Sequence, residues 1–120
     1  MSHRGKVTFL REARTAGYRV YLYWVVTEDA QVNVDRVAQR VQEGGHDVPT
    51  DKIRRRYSDA LALLRAAMET SDRAYLFDNS TSEGPRLVAE WKHPGPDPVL
   101  HCASPGPAWL FFAKSPVDAD

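Results

Sequence analysis

The chain has 120 residues, room for one small domain, and its 16 Lys plus Arg balance 16 Asp plus Glu, so the formal net charge is zero. That balance excludes a chain whose main business is coating nucleic acid or an anionic membrane. A hydrophobic fraction of 42% with 10% aromatic residues excludes wholesale disorder, and the single cysteine, Cys102, excludes a disulfide framework and a cysteine-built zinc site.

In chain order, the segment from Arg4 to Ala16 carries Val7, Leu10 and Ala13 at offsets of three and closes on Gly17, which predicts a helix ending in a left-handed cap. Tyr18 to Val26 is dense in β-branched and aromatic residues and predicts a strand buried on both faces. Asn33 is placed to cap a second helix that runs through Val41 and stops at Gly44-Gly45. A third helix is expected from about Thr50 to Thr70. Ala74 to Phe77 follows as a short buried strand ending in Asp78-Asn79-Ser80. Arg86 to Trp91 and Val99 to Ala103 are weaker strands, the first expected to pair back as a hairpin.

Composition changes once, near residue 92. Pro94, Pro96, Pro98, Pro105, Pro107 and Pro116 crowd the last part of the chain. This predicts an irregular tail laid over the surface, residues 93–120, after a domain of residues 1–92. Pro107-Ala108-Trp109 reads as surface cover, with a docked aromatic anchor as the alternative.

Helix, buried strand, two helices and buried strand make an α/β pattern with at least one parallel crossover. Ligands in such sheets sit beyond the carboxyl ends of the strands, here Thr27-Glu28-Asp29 and Asp78-Asn79-Ser80.

The arginines near these ends carry most of the chemical information. In the second helix Val34, Val37, Ala38 and Val41 form the expected apolar stripe, with Arg36 opposite it and Arg40 toward the edge of the polar side. In the third, the stripe is Ile53, Tyr57, Leu61, Leu64 and Met68. Arg55 faces away from it, and Arg54 and Arg56 flank it. An arginine beside a packed face is held in one geometry, as a bidentate grip on phosphate requires. Asn33 to Asp59 contains six basic and five acidic residues, so a plain solvated face is the competing reading.

Other catalytic and metal-binding signatures are missing. The 120 residues contain no Gly-x-x-x-x-Gly-Lys-Ser/Thr phosphate loop, no Gly-x-Ser-x-Gly and no His-Glu-x-x-His. The four histidines have no ligand spacing, so no metal site is expected. Cys102 adjoins His101, but neighbours on a strand face opposite sides, which makes a nucleophile–base pair a poor reading. No apolar run reaches the roughly 18 residues of a membrane span, and no apolar stretch follows the N-terminal Met1 to Lys6, so a cytoplasmic location is expected.

Several blocks resemble the zeta toxin family, and within it the bacterial branch described as predicted ATPases. These are Phe9-Leu-Arg-Glu-Ala-Arg-Thr-Ala-Gly-Tyr18, Val20-Tyr-Leu-Tyr23, Arg36-Val37, Arg40-Val41 leading to Gly44-Gly-His-Asp-Val-Pro49, Ile53-Arg-Arg-Arg-Tyr57 and Phe77-Asp-Asn-Ser80. The resemblance covers roughly Ser2 to Trp91. It implies a P-loop-kinase-like parallel sheet flanked by helices, incomplete here, with a C-terminal hairpin and a Pro-rich tail. It also implies ATP and magnesium as cofactors, a nucleotide and a nucleotide sugar such as UDP-N-acetylglucosamine as ligands, and a helical antitoxin as a partner. By the same resemblance Arg40 and Arg56 are the catalytic arginines, and Arg36, Gly44, Gly45, His46 and Asn79 belong to the nucleotide side.

The family's P-loop and catalytic aspartate precede the matching segment and are absent from these residues. The chain alone is therefore expected not to turn over ATP, and to expose a sheet edge and an apolar face through which it self-associates or takes a partner. The alternative is a non-catalytic half-domain that acts by binding, as an antitoxin decoy or a nucleotide binder. Nucleic-acid binding through Arg54-Arg55-Arg56 is disfavoured by the zero net charge and by the absence of stacking aromatics among these arginines.

Overall fold

The computed structural model describes residues 3–28, 30–102 and 106–114. Its elements in order are α1 (His3–Thr15), β1 (Tyr21–Val26), α2 (Ala30–Gln42), α3 (Thr50–Ala62), α4 (Leu64–Glu69), β2 (Arg73–Asp78), β3 (Arg86–Lys92), β4 (Val99–Leu100) and a 3₁₀ helix, Ala108–Ala113. The strands form one sheet in the order β1-β2-β3-β4. The fold is α/β, but the sheet is mixed: β1 and β2 run parallel, with Tyr21 opposite Arg73 and Val26 opposite Asp78, while β2–β3 and β3–β4 are antiparallel. The expected hairpin is β2–β3. Of the expected strand from Val99 to Ala103, only Val99–Leu100 forms, and Ala103 lies outside the described residues.

Two reciprocal bonds set the parallel register. The backbone N–H of Asp72 donates to the Val20 carbonyl at 2.8 Å, and the Val20 N–H donates to the Asp72 carboxylate at 2.7 Å. Arg14 lies 3.3 Å from the same carboxylate. The Val20 amide, ahead of the Arg14 charge, holds the Asp72 carboxyl below its ordinary value of 3.8, against a smaller upward push from burial.

The core lies on one face of the sheet. Val26, Ala74, Leu76 and Trp91 meet Leu61, Leu64 and Met68 of α3 and α4, with Leu22 and Trp24 of β1 packed at the margin. The stripe expected of the third helix is buried as expected, with Ile53 and Leu61 of α3 and Leu64 and Met68 of α4 buried and Tyr57 half-buried. The expected single helix from Thr50 to Thr70 breaks at Leu63 (φ −101°, ψ −1°), whose N–H turns back to the Ala60 carbonyl at 3.1 Å in a tightened 3₁₀ turn. Beyond the break, Leu64, Ala67 and Met68 of α4 are buried.

The tail departs most from expectation. Its 3₁₀ helix buries Trp109, Leu110 and Ala113 in the core, so this stretch is a structural wall of the domain and not surface cover. Trp109 donates its indole N–H to the buried Asp78 carboxylate at 2.9 Å. Arg65 of α4 ties the tail down, donating to the Ala113 carbonyl at 3.0 Å while its guanidinium sits 5.3 Å from the Trp91 ring centre.

β1 also corrects the sequence reading. It is not buried on both faces: Tyr21, Tyr23 and Val25 are exposed, in alternation with the inward residues Leu22, Trp24 and Val26. Its six residues are nearly all apolar, so periodicity gives no sign that one face is open.

Candidate functional site

The parallel β1–β2 pair brings the ends Val26-Thr27 and Asp78-Asn79 side by side, and the Asn79 N–H extends the ladder to the Val26 carbonyl at 2.8 Å. Above these ends α2 and α3 enclose a cleft of about 780 Å³ with β1. Trp24, Val26, Ile53 and Leu61 give it an apolar floor, and Asn33, Arg36, Arg40 and Arg56 supply its polar groups.

Arg36 and Arg40 reach the cleft because α2 is rotated from the orientation its valines predict. Val37 is buried, but Ala38 and Val41 are exposed, and the stripe facing the cleft is Asn33, Arg36, Val37 and Arg40. These positions recur at three and four residues, the repeat of one helix face. Arg36 therefore does not point away from the packed side. It is half-buried, and its Nη2 donates to the Asn79 carbonyl at 2.6 Å. One end of its guanidinium is thus fixed at the tip of β2. Arg56 flanks the α3 stripe as expected and enters the cleft from the far wall, while Arg54, on the other flank, donates to the Gln31 side chain of α2.

Among the described residues none of Arg36, Arg40 and Arg56 takes part in a salt bridge. The one carboxylate in the lining, Glu43, accepts a bond from Gln39 at 3.5 Å. The lining thus carries three cations and one anion over an apolar floor, which lowers the local dielectric and strengthens their pull on an anion. The donors suit the oxygens of a phosphate chain. Among the described residues there is no group of three His, Cys, Asp or Glu side chains that could hold a metal ion.

The remaining expected site residues are not in the lining. Gly44 and Gly45 end α2: the Gly45 N–H donates to the Arg40 carbonyl at 2.7 Å and the Gly44 N–H to the Val41 carbonyl at 3.0 Å, with Gly44 at φ +95°. This paired cap is a sufficient reason for both glycines. It also fixes the turn that carries Arg40. His46 is exposed and is not among the residues that border the cleft. Asn79 contributes through its backbone, as the acceptor for Arg36. Asp78, at the strand end, is engaged by Trp109 and by the Ser80 N–H at 3.0 Å. Asp29 lies outside the described residues.

Thr27 borders the cleft, as expected of a strand end, whereas Asn33 and Tyr57, read from the sequence as a helix cap and a core residue, join the site unexpectedly. α2 begins at Ala30, so Asn33 sits inside the helix, where its Oδ1 accepts from the buried Thr27 hydroxyl at 3.0 Å. Tyr57 donates to the Thr27 carbonyl at 2.8 Å. Together these bonds lock the end of β1 to both helices. The available signal was the three-residue step from Asn33 to Arg36, which continues to Arg40. Comparison with family models, with curated proteins and with solved structures returns no match for the chain.

Proposed function

We propose that these residues form the part of a zeta-toxin-like kinase that follows the P-loop, and that their cleft grips the phosphates of a nucleotide or nucleotide sugar. The observation that carries this reading is the convergence of Arg36, Arg40 and Arg56 on one cleft at the carboxyl ends of a parallel strand pair. Arg40 and Arg56, both exposed in the cleft lining, would neutralise charge on a transferring phosphoryl group, while Arg36, bonded to the Asn79 carbonyl, positions the chain. The resemblance supplies the substrate class, UDP-N-acetylglucosamine or a related sugar, with ATP and magnesium as cofactors and a helical antitoxin as a partner. In this chemistry ATP would bring the phosphoryl group to be transferred. The 120 residues hold no phosphate loop, so the chain by itself binds phosphates without turning over ATP. Nuclear magnetic resonance of the labelled full chain tests this. UDP-N-acetylglucosamine should shift the Arg36, Arg40 and Arg56 guanidinium signals and the Trp24 indole. Absence of those shifts, or ATP hydrolysis that Arg40→Ala abolishes, would overturn one half of the reading or the other.

The second reading, an interaction protein without catalysis, is favoured by the open apolar face of the sheet. Self-association through the free edge of β1 belongs to that reading.

A further inference from the structure

All the helices whose packing is described above lie on one side of the sheet, and the opposite side is uncovered among the described residues. It presents three rows read from the strand register: Tyr21, Arg73 and Lys92; Tyr23, Tyr75, Glu90 and Val99; Val25, Phe77 and Leu87. Tyr23 is 63% exposed and Val25 is 52% exposed, and the Tyr23 ring stacks on Tyr75 at 5.0 Å and on Phe77 at 6.2 Å. Tyr21, Tyr23 and Val25 alone expose on the order of 300 Å² of largely apolar surface, already as large as the biggest patch on many monomers, and Tyr75, Phe77 and Leu87 extend it. Parallel strand pairs are ordinarily covered on both faces, so water on this side of β1–β2 is the anomaly to be explained.

We propose that this face is the docking surface for an amphipathic helix of another polypeptide, lying antiparallel to β1 and β2 with an acidic C-terminal end over Arg73 and Lys92. The proposal stands apart from the reading of the arginine cleft. Its dimensions follow from the strands. Three strands about 4.8 Å apart are one helix wide, and six residues of strand, roughly 20 Å, match about 13 residues of helix.

Its direction follows from charge. Arg73 and Lys92 stand together at the start of β1 and β2, both exposed, whereas the nearest anion on the face, Glu90, is paired with His101 at 2.5 Å. Two cations that form no ion pair among the described residues, at one end of an apolar strip, suit the free carbonyls and negative dipole of a helix C-terminus. The same cations disfavour a second copy of this chain. Packed face to face with strands parallel, Arg73 and Lys92 would meet their own counterparts. With strands antiparallel they would be buried against the Val25, Phe77 and Leu87 row. Pairing of two β1 edges would leave the face open.

The test uses the full chain and two labelled 14-residue peptides. Both have a leucine stripe at helical spacing, and they differ only in carrying three Glu or three Lys in the last turn. Fluorescence anisotropy should show the Glu peptide binding at least about tenfold more tightly than the Lys peptide. The double variant R73E/K92E should reverse that order, and the cycle cancels the peptides' own helicity. Tyr23→Glu, at an exposed position, should abolish binding of the Glu peptide in a chain that keeps its far-ultraviolet circular dichroism and a cooperative melt, lowered only by the lost stack on Tyr75. Equal affinity for the two peptides, an order the double variant leaves intact, or binding that survives Tyr23→Glu would overturn the proposal. So would a concentration-dependent dimer in sedimentation that Tyr23→Glu dissolves, since the occupant would then be a second copy.

Discussion

Arg36 Nη2 lies 2.6 Å from the carbonyl oxygen of Asn79, which pins the middle of α2 to the tip of β2 and leaves the rest of the guanidinium facing the cleft. This one bond turns a solvent-style arginine into a fixed donor. Arg36→Ala should lower stability to urea by about 1 kcal/mol, the worth of a hydrogen bond that a charged group makes in a half-buried place. The same variant should weaken polyphosphate binding. Arg36→Lys should preserve most of the charge yet bind more weakly than wild type, since an ammonium cannot bond the carbonyl and a phosphate through one rigid fork.

The Asp78–Trp109 bond predicts a coupled loss. Trp109→Phe leaves a buried carboxylate oxygen without its donor and should cost about 2 kcal/mol in urea unfolding followed by circular dichroism. In the double variant Asp78→Asn/Trp109→Phe the combined cost should fall short of the two single costs added together. Additivity would mean that the indole acts through packing alone.

Gly45 and His46 separate structure from chemistry. A Cβ on Gly45 would stand 2.9 Å from the Arg40 carbonyl oxygen, so Gly45→Ala should open the α2 cap, cost about 1 kcal/mol and displace Arg40 from the cleft. Both stability and phosphate affinity should drop. His46→Ala should change neither, and a loss of affinity on that substitution would put His46 back in the site.

Asp72 predicts an acid limb. Its carboxyl is held below 3.8 in the folded chain by the Val20 amide and by Arg14, so its contribution to stability is complete above the unfolded value and is lost as pH falls through the folded one. Wild type should therefore lose stability more steeply than Asp72→Asn below about pH 5, and the two should run in parallel above it. Equal slopes throughout would remove Asp72 from the register of β1 and β2.

How far the sequence reveals this fold depends on the kind of signal each element carries. The stripe from Ile53 to Met68, across α3 and α4, is legible because its burial is one-sided and long. Gly17 and Gly44 are legible because a left-handed cap demands glycine. The rotation of α2 is hidden, since its valines suggest one inward face and its arginines occupy another. That choice depends on Asn79 and Thr27, which are far away in sequence or outside the helix. β1 misleads for a related reason: an apolar run looks the same whether both faces are covered or one awaits a partner. Trp109 is hidden among prolines that suggest an irregular tail, and only its distant acceptor, Asp78, explains its burial. Of the expected site, the three arginines converge, whereas Gly44 and Gly45 serve the cap.

The central claim is that Arg36, Arg40 and Arg56 act together on one phosphate chain. Titration calorimetry of the full chain with inorganic tripolyphosphate measures this most directly. The account predicts a single site whose affinity falls at least about tenfold in Arg40→Ala/Arg56→Ala and weakens with added salt, with no effect from Arg55→Ala on the outer side of α3. Equal affinity in wild type and the double variant, or an equal loss from Arg55→Ala, would contradict it.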